Sequence, residues 1–360
     1  MKKYSRHEFL QLVSLGLGAL AIDPLLTACA KAAATLPASP AIPIPSTQAP
    51  TLPSTQSLAT SAPARVSPTD TQAATDTPLE PTQTNPSSSD TYLAVARGGD
   101  DPEALVRRAL AALGGMEKFV PKGARVVIKP NICVAYHTYE YAATTNPWVV
   151  GALVRMALEA GAKRVQVLDY PFGGSASEAY AISGIQEQVQ AAGGSMVPVS
   201  AIKFVDVDLP QAVDLKRLKV FKDALDADVL IDAPIAKHHG QARLTLGMKN
   251  LMGLVQRRET IHQNLGQRIA DLASLFQPDL TVVDAVRVLM ANGPTGGNLN
   301  DVKKLDTVIA SPDIVAADSY ATGLFGLAPD DIAYIRAASA MGLGRTDLEN
   351  LKIEEIPVGG

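Results

Sequence analysis

Segment 235–253, IAKHHGQARLTLGMKNLMG, gathers cationic and amide side chains directly after the strand-like run DADVLIDAP. It contains Lys237, His238, His239, Lys249 and Asn250. Residues 237–262 hold five Lys or Arg and one Glu, although the whole chain has a formal net charge of −4. Neighbouring ammonium and imidazole groups bind carboxylate or phosphate and can transfer protons. The segment therefore predicts an anion site with acid–base chemistry, and we expect its histidines in a loop that follows the buried strand.

Polar side chains also lie where other strand-like apolar runs end. Lys129 and Asn131 come at the end of RVVIKPN, Asp169 lies near the end of RVQVLDYP, and Asp284 is expected to follow the strand that begins at residue 280. Loops at the carboxyl ends of parallel strands converge, so we expect one cleft to hold these residues. Its positive charge would come from Lys129, Lys237, Lys249 and Arg257 or Arg258. Backbone N–H groups of NGPTGG, residues 292–297, would add donors.

The histidines and carboxylates allow two kinds of chemistry. A histidine could act as a general base, or histidines could join aspartates around a divalent metal. The residues concerned are His238, His239, His262, Asp169, Asp284 and Asp318. Their spacing matches no recognised zinc motif. A single histidine is more often a hydrogen-bonded structural residue, and an aspartate is as often a turn cap.

The elements that must position these residues alternate along the chain. Short Val- and Ile-rich runs start at residues 125, 164, 227, 280 and 306, and helical patterns separate them. This alternation predicts an α/β fold with a mostly parallel sheet and helices on both faces. Residues 194–222 fit the alternation poorly, which suggests a small β insertion.

The N-terminal quarter of the chain predicts export and anchoring. Residues 1–28 combine a basic start with a short apolar run, as a signal peptide does, and LLTAC places Cys29 where a bacterial lipoprotein is lipidated. SRHEFLQ resembles a twin-arginine motif with His7 in place of the second arginine, so the export route stays open. Residues 31–90 hold 11 of the 25 prolines and no aromatic residue. We therefore expect segment 29–90 to be a disordered tether, and 91–360 to be the folded domain of an extracytoplasmic protein in the bacterial cell envelope.

Composition narrows the function of residues 91–360. They contain 27 Lys or Arg against 30 Asp or Glu, so a nucleic acid is not the expected partner. Once Cys29 is lipidated, Cys133 is the remaining cysteine, which argues against a disulfide and against an iron–sulfur cluster. The expected partners are an anionic small molecule and, through the lipid on Cys29, a membrane.

Longer motifs carry a family resemblance. VVIKPNIC, LIDAPIAKHHGQARLTLGMKNLMGLV, LTVVDAV and VIASPDIVAADSYA occur in the order typical of the DUF362 family, a domain of unknown function that this chain resembles across 91–360. The resemblance implies a pocket built from Lys129, Asn131, Lys237, His239, Lys249, Asn250 and Asp284. It implies no reaction. Some relatives carry an appended ferredoxin-type cluster domain, whose cysteine repeats this chain lacks.

The leading hypothesis is a lipid-anchored domain that binds an anionic carboxylate or phosphate compound and acts on it. Lys237 and Lys249 would hold the anion, with Lys129 adding charge, and His239, assisted by His238, would carry a proton. Asn131 and Asn250 would orient the ligand, and Asp169 or Asp284 would position the base or a metal. The alternative is a non-catalytic solute-binding or envelope-scaffolding lipoprotein. A third hypothesis is a metal-dependent hydrolase.

Overall fold

The computed structural model describes residues 91–359. The predicted signal peptide, Cys29 and the tether lie outside the described residues. The strands are β1 (Leu93–Arg97), β2 (Arg125–Pro130), β3 (Arg164–Val167), β4 (Ser195–Met196), β5 (Phe204–Asp208), β6 (Arg217–Phe221), β7 (Val229–Ala233), β8 (Ile235–His239), β9 (Arg243–Thr245), β10 (Leu280–Leu289), β11 (Val302–Ser311) and β12 (Ile353–Pro357). The α-helices are α1 (Pro102–Ala112), α2 (Pro147–Glu159), α3 (Ala176–Ile182), α4 (Ile185–Ala191), α5 (Lys222–Leu225), α6 (Gly247–Asn250), α7 (Glu259–His262), α8 (Leu265–Phe276), α9 (Ile314–Thr322) and α10 (Ala333–Ala340).

A ten-stranded sheet organises the fold. Its main path runs β12-β1-β11-β10-β7-β2-β3-β4, and β8 and β9 branch from β10. Strands β7, β2, β3 and β4 are mutually parallel, and β10 is parallel to β7 and β8. Strand β11 is antiparallel to both β1 and β10. The predicted α/β class with a mostly parallel sheet is confirmed.

Strand alternation divides the apolar interior into two cores. Val126 and Ile128 of β2 face a core shared with α1, α2, α3 and α4. Val127, between them, faces the other core, which includes α8, α9 and α10. Because successive side chains of a strand point to opposite faces, one strand serves both cores. The sheet therefore carries helices on both faces, as predicted.

Helix caps explain where the longer helices begin. The Asn146 side chain accepts the Trp148 N–H at 3.0 Å at the start of α2. Asp313 accepts the N–H groups of Val315 and Ala316 at the start of α9. Both caps pair an N-terminal donor that would otherwise be unsatisfied.

The segment after β7 differs from the expectation. His238 and His239 do not lie in a loop: they belong to β8, which pairs with β10 and with the short strand β9. Pro234 lies between β7 and β8 in the sequence. Because it has no N–H to donate to a neighbouring strand, β7 ends before it and the chain resumes as the new strand β8.

The predicted small β insertion is a separate antiparallel pair, β5 and β6. Phe204 of β5 contacts Phe221 and Tyr170, with ring centroids 4.9 and 5.4 Å apart. Val220 of β6 bridges to Val255. The insertion thus packs against Tyr170, which follows β3, and against Val255, which precedes α7.

Among residues 91–359, no helix is both long enough and apolar enough to cross a membrane.

Candidate functional site

A cavity of about 460 Å³ lies where chain segments leave β2, β3 and β10, beside β8. Its lining includes eight candidate residues named from the sequence: Asn131, Asp169, Lys237, His239, Lys249, Asn250, Arg258 and His262. Tyr170, Phe172, Met252 and Pro294 contribute apolar surface. The carboxyl edge of the sheet therefore gathers these residues, as expected for an open parallel sheet.

A buried ion pair forms the floor behind this lining. Lys129 Nζ lies 3.0 Å from Asp169 Oδ1, and the two side chains are 0% and 3% exposed. The other carboxylate oxygen, Asp169 Oδ2, accepts the Ile132 N–H at 2.5 Å. Lys129 also donates to the Asn250 side-chain oxygen at 3.0 Å. Its charge is thus already compensated within the protein.

Asn250 connects the floor to the cavity wall. Its Oδ1 accepts from Asn131 Nδ2 at 3.0 Å as well as from Lys129, and its Nδ2 donates to Lys129 O and to Asp232 Oδ1. Asn131 Oδ1 accepts from Lys237 Nζ at 3.1 Å. Both amide groups therefore hold the buried lysines in defined positions.

Lys237 is held by neutral groups. It is 1% exposed. Besides Asn131, its Nζ contacts the carbonyl oxygens of Ala143 at 2.5 Å and Pro294 at 2.9 Å, and Cys133 Sγ at 3.2 Å. The Gly-rich loop thus contributes an acceptor, where donors were expected.

Lys249 lines the cavity, and little in its surroundings compensates its positive charge. It is the third residue of the short helix α6 (Gly247–Asn250) and is 8% exposed. Its recorded hydrogen-bond contact is a long one, 3.8 Å from Nζ to Met252 Sδ. Burial and the charge of Lys237 lower the pKa of Lys249 to about 7. Its amine therefore changes charge near neutral pH, unlike an ordinary lysine.

The sequence left Arg257 and Arg258 as alternatives, and the structure distinguishes them. Arg257 is exposed and pairs with Glu259 at 3.4 Å. Arg258 lines the cavity, lies over the Tyr170 ring at 4.6 Å and donates to the Met252 and Tyr170 carbonyl oxygens. Burial lowers the pKa of Arg258.

His239 is oriented by its own chain. Its Nδ1 accepts the N–H groups of Gln241 and Ala242, both at 3.1 Å. Burial, followed by the charge of Lys249, lowers the pKa of His239 to about 3. A neutral imidazole whose Nδ1 is an acceptor carries its proton on Nε2. His239 can therefore present a hydrogen-bond donor to the cavity.

Two other predicted residues lie away from the cavity lining. His238 points to the opposite side of β8, where its Nδ1 accepts the Gly293 N–H at 3.1 Å. The expectation that Asp284 follows the strand is wrong, because β10 continues to Leu289 and Asp284 lies inside it. Its carboxylate accepts the N–H groups of Asn146 at 2.7 Å and Val286 at 2.9 Å. Burial raises the pKa of Asp284 to about 7. These contacts couple β10 to the start of α2.

Sequence reasoning missed Asp232, which sits inside the apolar run of β7. It is 0% exposed, and its Oδ2 has no hydrogen-bond partner among the described residues. Burial raises its pKa well above the usual value, although the Lys129 charge opposes this shift. Its one signal in the sequence is a carboxylate within an otherwise apolar strand.

Short helix α6 approaches the strand ends closely. The Asp318 carboxylate accepts the N–H groups of Gly247 and Met248 at 2.6 and 3.0 Å. Beyond α6, a Cβ on Gly253 would lie 1.8 Å from Asp169 Oδ1. Only glycine fits there without displacing the ion pair.

Metal binding by this domain stays a prediction, and the described residues offer no obvious group of ligands for it. Within residues 91–359, no three His, Cys, Asp or Glu side chains are grouped so that they could hold a metal ion. Cys133 is buried and unpaired with another cysteine in this part of the chain.

Comparisons with known proteins come from sequence and from structure. A family model described as "Domain of unknown function (DUF362)" matches residues 126–323. A thylakoid-associated protein from Synechocystis is 31% identical over 256 residues, which cover 68% of this chain and 77% of that protein.

Solved structures show weaker likeness. The lactate racemase apoprotein from Thermoanaerobacterium thermosaccharolyticum has a TM-score of 0.40 and 15% identity, covering 61% of this chain and 54% of that one. A Thermotoga maritima protein also has a TM-score of 0.40, with 14% identity and coverage of 64% and 60%. The chain thus spans less than two thirds of either structure, and likeness of this size transfers no activity.

Proposed function

The chain belongs to the DUF362 family, and we propose that this member binds an anionic carboxylate or phosphate compound in the cavity and acts on it. The observation that carries the proposal is an excess of uncompensated cations. Lys237, Lys249 and Arg258 all line the cavity. Their recorded hydrogen-bond partners in residues 91–359 are carbonyl or amide oxygens and sulfur atoms, not carboxylates.

The free energy of burying charge explains why this pattern favours an anion. A buried cation without a counter-charge is costly, and a bound anion would offset part of that cost. Lys129, by contrast, already has Asp169 as its counter-ion. We therefore expect the anionic group of the ligand to lie beside Lys237, Lys249 and Arg258.

Roles follow from the hydrogen bonds. Asn131 and Asn250 hold Lys129 and Lys237 in place, which orients the ligand indirectly. His239 donates from Nε2 to the anion. Lys249, with its pKa lowered to about 7, is the group suited to exchange a proton at neutral pH, in place of the proton role first considered for His239.

A calorimetric titration of the full-length chain in non-ionic detergent tests anion binding. We expect inorganic phosphate or acetate to bind, and Lys237→Ala to weaken that binding at least about tenfold, since it removes a positive charge from the cavity and about 1.4 kcal/mol is a factor of ten in affinity. Lys122→Ala is the matched control, because Lys122 is exposed and does not line the cavity. Equal affinity in both variants would remove the anion site.

The alternative is a binder without turnover. It is favoured by His239 Nδ1, which is committed to two backbone donors and offers no free base. Lys249→Met separates the two functions once a converted ligand is known. An enzyme that uses the Lys249 amine loses turnover, whereas a pure binder shows only weaker binding.

The proposal extends to location. We place the domain outside the cytoplasm of a bacterial cell, held to a membrane by lipid on Cys29. LLTAC supports export and lipid anchoring, and the 31% identical relative, whose name describes it as thylakoid-associated, supports association with a membrane.

A further inference from the structure

We propose that Lys249 binds its ligand covalently: its amine condenses with the carbonyl carbon of an anion that bears an aldehyde or ketone, the simplest case being a 2-oxo acid, to give an imine. This inference rests on the anion-binding function proposed above and narrows its substrate class.

The surroundings of the three cavity-side lysines single out Lys249. Lys129 is paired with Asp169 at 3.0 Å, and Lys237 donates to three oxygens within 3.1 Å. Among residues 91–359, Lys249 Nζ has no such oxygen partner; it contacts Met252 Sδ at 3.8 Å, and a thioether is a weak acceptor. An ammonium group is poorly stabilised there, so the amine lone pair is available for attack on carbon.

The positive charge of the cavity also favours the neutral form of the Lys249 amine. Burial and the neighbouring Lys237 lower the pKa of Lys249 to about 7, so a large fraction of the amine is neutral at physiological pH. Desolvation next to a second cation is an established way to activate a lysine for imine formation.

The remaining lining suits the other half of such a ligand. Lys237 and Arg258 provide cations for a carboxylate, and the Nε2–H of His239 provides a donor for the carbonyl oxygen. Tyr170 and Phe172 offer apolar surface for a short carbon chain. A volume of about 460 Å³ accommodates a small organic acid.

The reaction balances without an oxidant or a reductant. The neutral amine nitrogen forms a bond to the carbonyl carbon, the carbonyl π electrons move to oxygen, and nitrogen passes one of its two protons to that oxygen. The hydroxyl group of the resulting carbinolamine then takes a second proton and leaves as water, while the nitrogen lone pair forms the C=N bond and nitrogen gives up its other proton, which balances the one taken by the hydroxyl group. Amine and carbonyl thus become imine and water.

Borohydride trapping tests the inference on the full-length chain in detergent. Incubation with pyruvate or glyoxylate and then sodium borohydride should leave one reduced adduct, carboxyethyl or carboxymethyl, on the peptide that contains Lys249. The yield should rise as the pH increases through about 7. Lys249→Arg should lack the adduct, whereas Lys122→Arg should retain it.

Peptide mapping of the wild-type protein decides the outcome even if Lys249→Arg fails to fold. Trapping spread equally over exposed lysines, or none at Lys249 with either acid, would overturn the imine. Acetate has a carboxylate but no reactive carbonyl, so its binding is measured in parallel. Binding of acetate or phosphate without trapping would leave the anion site standing, whereas absence of trapping and of binding to either anion would remove the two proposals together.

Discussion

Lys129, Lys237 and Lys249 carry the same ammonium group but differ in their partners. Within the described part of the chain, Lys129 has a carboxylate, Lys237 has several neutral acceptors, and Lys249 has one long contact to sulfur. Their chemical behaviour follows from these partners more than from their residue type, because the free energy of a buried charge depends on what compensates it. At the residue scale, the site is therefore defined by the cation that is least compensated.

The lowered pKa of Lys249 predicts a pH-dependent stability. Folding shifts this pKa from 10.5 to about 7, so between these values the unfolded chain binds a proton that the folded chain does not. The Lys249 contribution to the free energy of unfolding therefore rises with pH across this window, by about 1.4 kcal/mol per pH unit. Urea denaturation of wild type and Lys249→Met at pH 7, 8 and 9 measures the difference between them. Parallel pH profiles would contradict the shift.

At the element scale, the site depends on how α6 and the turn after it sit on the strand ends. Asp318 of α9 caps the first residues of α6, and the Tyr170 N–H donates to Gly253 O at 3.0 Å. The β5–β6 insertion supports the same wall through Phe204 and Tyr170. These contacts bring Lys249 and Asn250 to the carboxyl edge, although α6 spans only Gly247–Asn250.

Gly253→Ala tests this close approach. The new Cβ would meet Asp169 Oδ1 at 1.8 Å and Lys129 Nζ at 2.7 Å, so the turn or the ion pair must move. We expect a loss of about 1–3 kcal/mol in the free energy of unfolding, typical of overpacking, together with weaker phosphate binding. Chemical denaturation and calorimetry measure the two effects.

Gly240→Ala is the matched control for that substitution. Gly240 also lines the cavity, but a Cβ there meets nothing within 4 Å. Its stability should stay within about 0.5 kcal/mol of wild type. Similar losses in both variants would show that the 253 turn is not tightly constrained.

At the scale of the whole molecule, the local charge opposes the overall charge. The folded region 91–360 has 27 Lys or Arg against 30 Asp or Glu, yet three basic side chains without a carboxylate partner among the described residues, Lys237, Lys249 and Arg258, line one cavity. An overall negative domain does not attract anions over long distances, so recognition depends on short-range contacts inside the cavity. This arrangement suits a small anion better than a polyanion such as nucleic acid.

Anchoring through Cys29 gives a prediction for the full chain. Cys29→Ser removes the thiol that would carry the lipid, so the protein should lose incorporation of labelled fatty acid and leave the membrane fraction of an expressing bacterium. Fractionation with immunoblotting measures this. Cys133→Ser is the control, because Cys133 is buried in the folded domain and should not affect the label. Unchanged labelling of Cys29→Ser would exclude lipidation at that residue.

Local sequence determined the regular elements and their order. Strand β2 occupies the stretch predicted from RVVIKP, and helix α8 occupies the stretch predicted from LGQRIADLASLF. Asn146 caps helix α2, and Asp313 caps helix α9. Apolar periodicity and capping depend on neighbouring residues, so a single sequence contains them. The gathering of Lys237, Lys249 and Asn250 at the sheet edge also followed, since strand direction decides where chain ends meet.

Tertiary structure decided what each polar residue does. Pro234 and pairing with β10 turned the expected histidine loop into a strand, so that His239 faces the cavity and His238 faces away. Long-range partners made Lys129 a paired cation and left Lys249 with a sulfur contact. Hydrogen bonding and burial depend on residues far apart in the chain, and they set the free energy of each charge. The types of side chain at the site could therefore be predicted from the sequence, but their protonation and pairing could not.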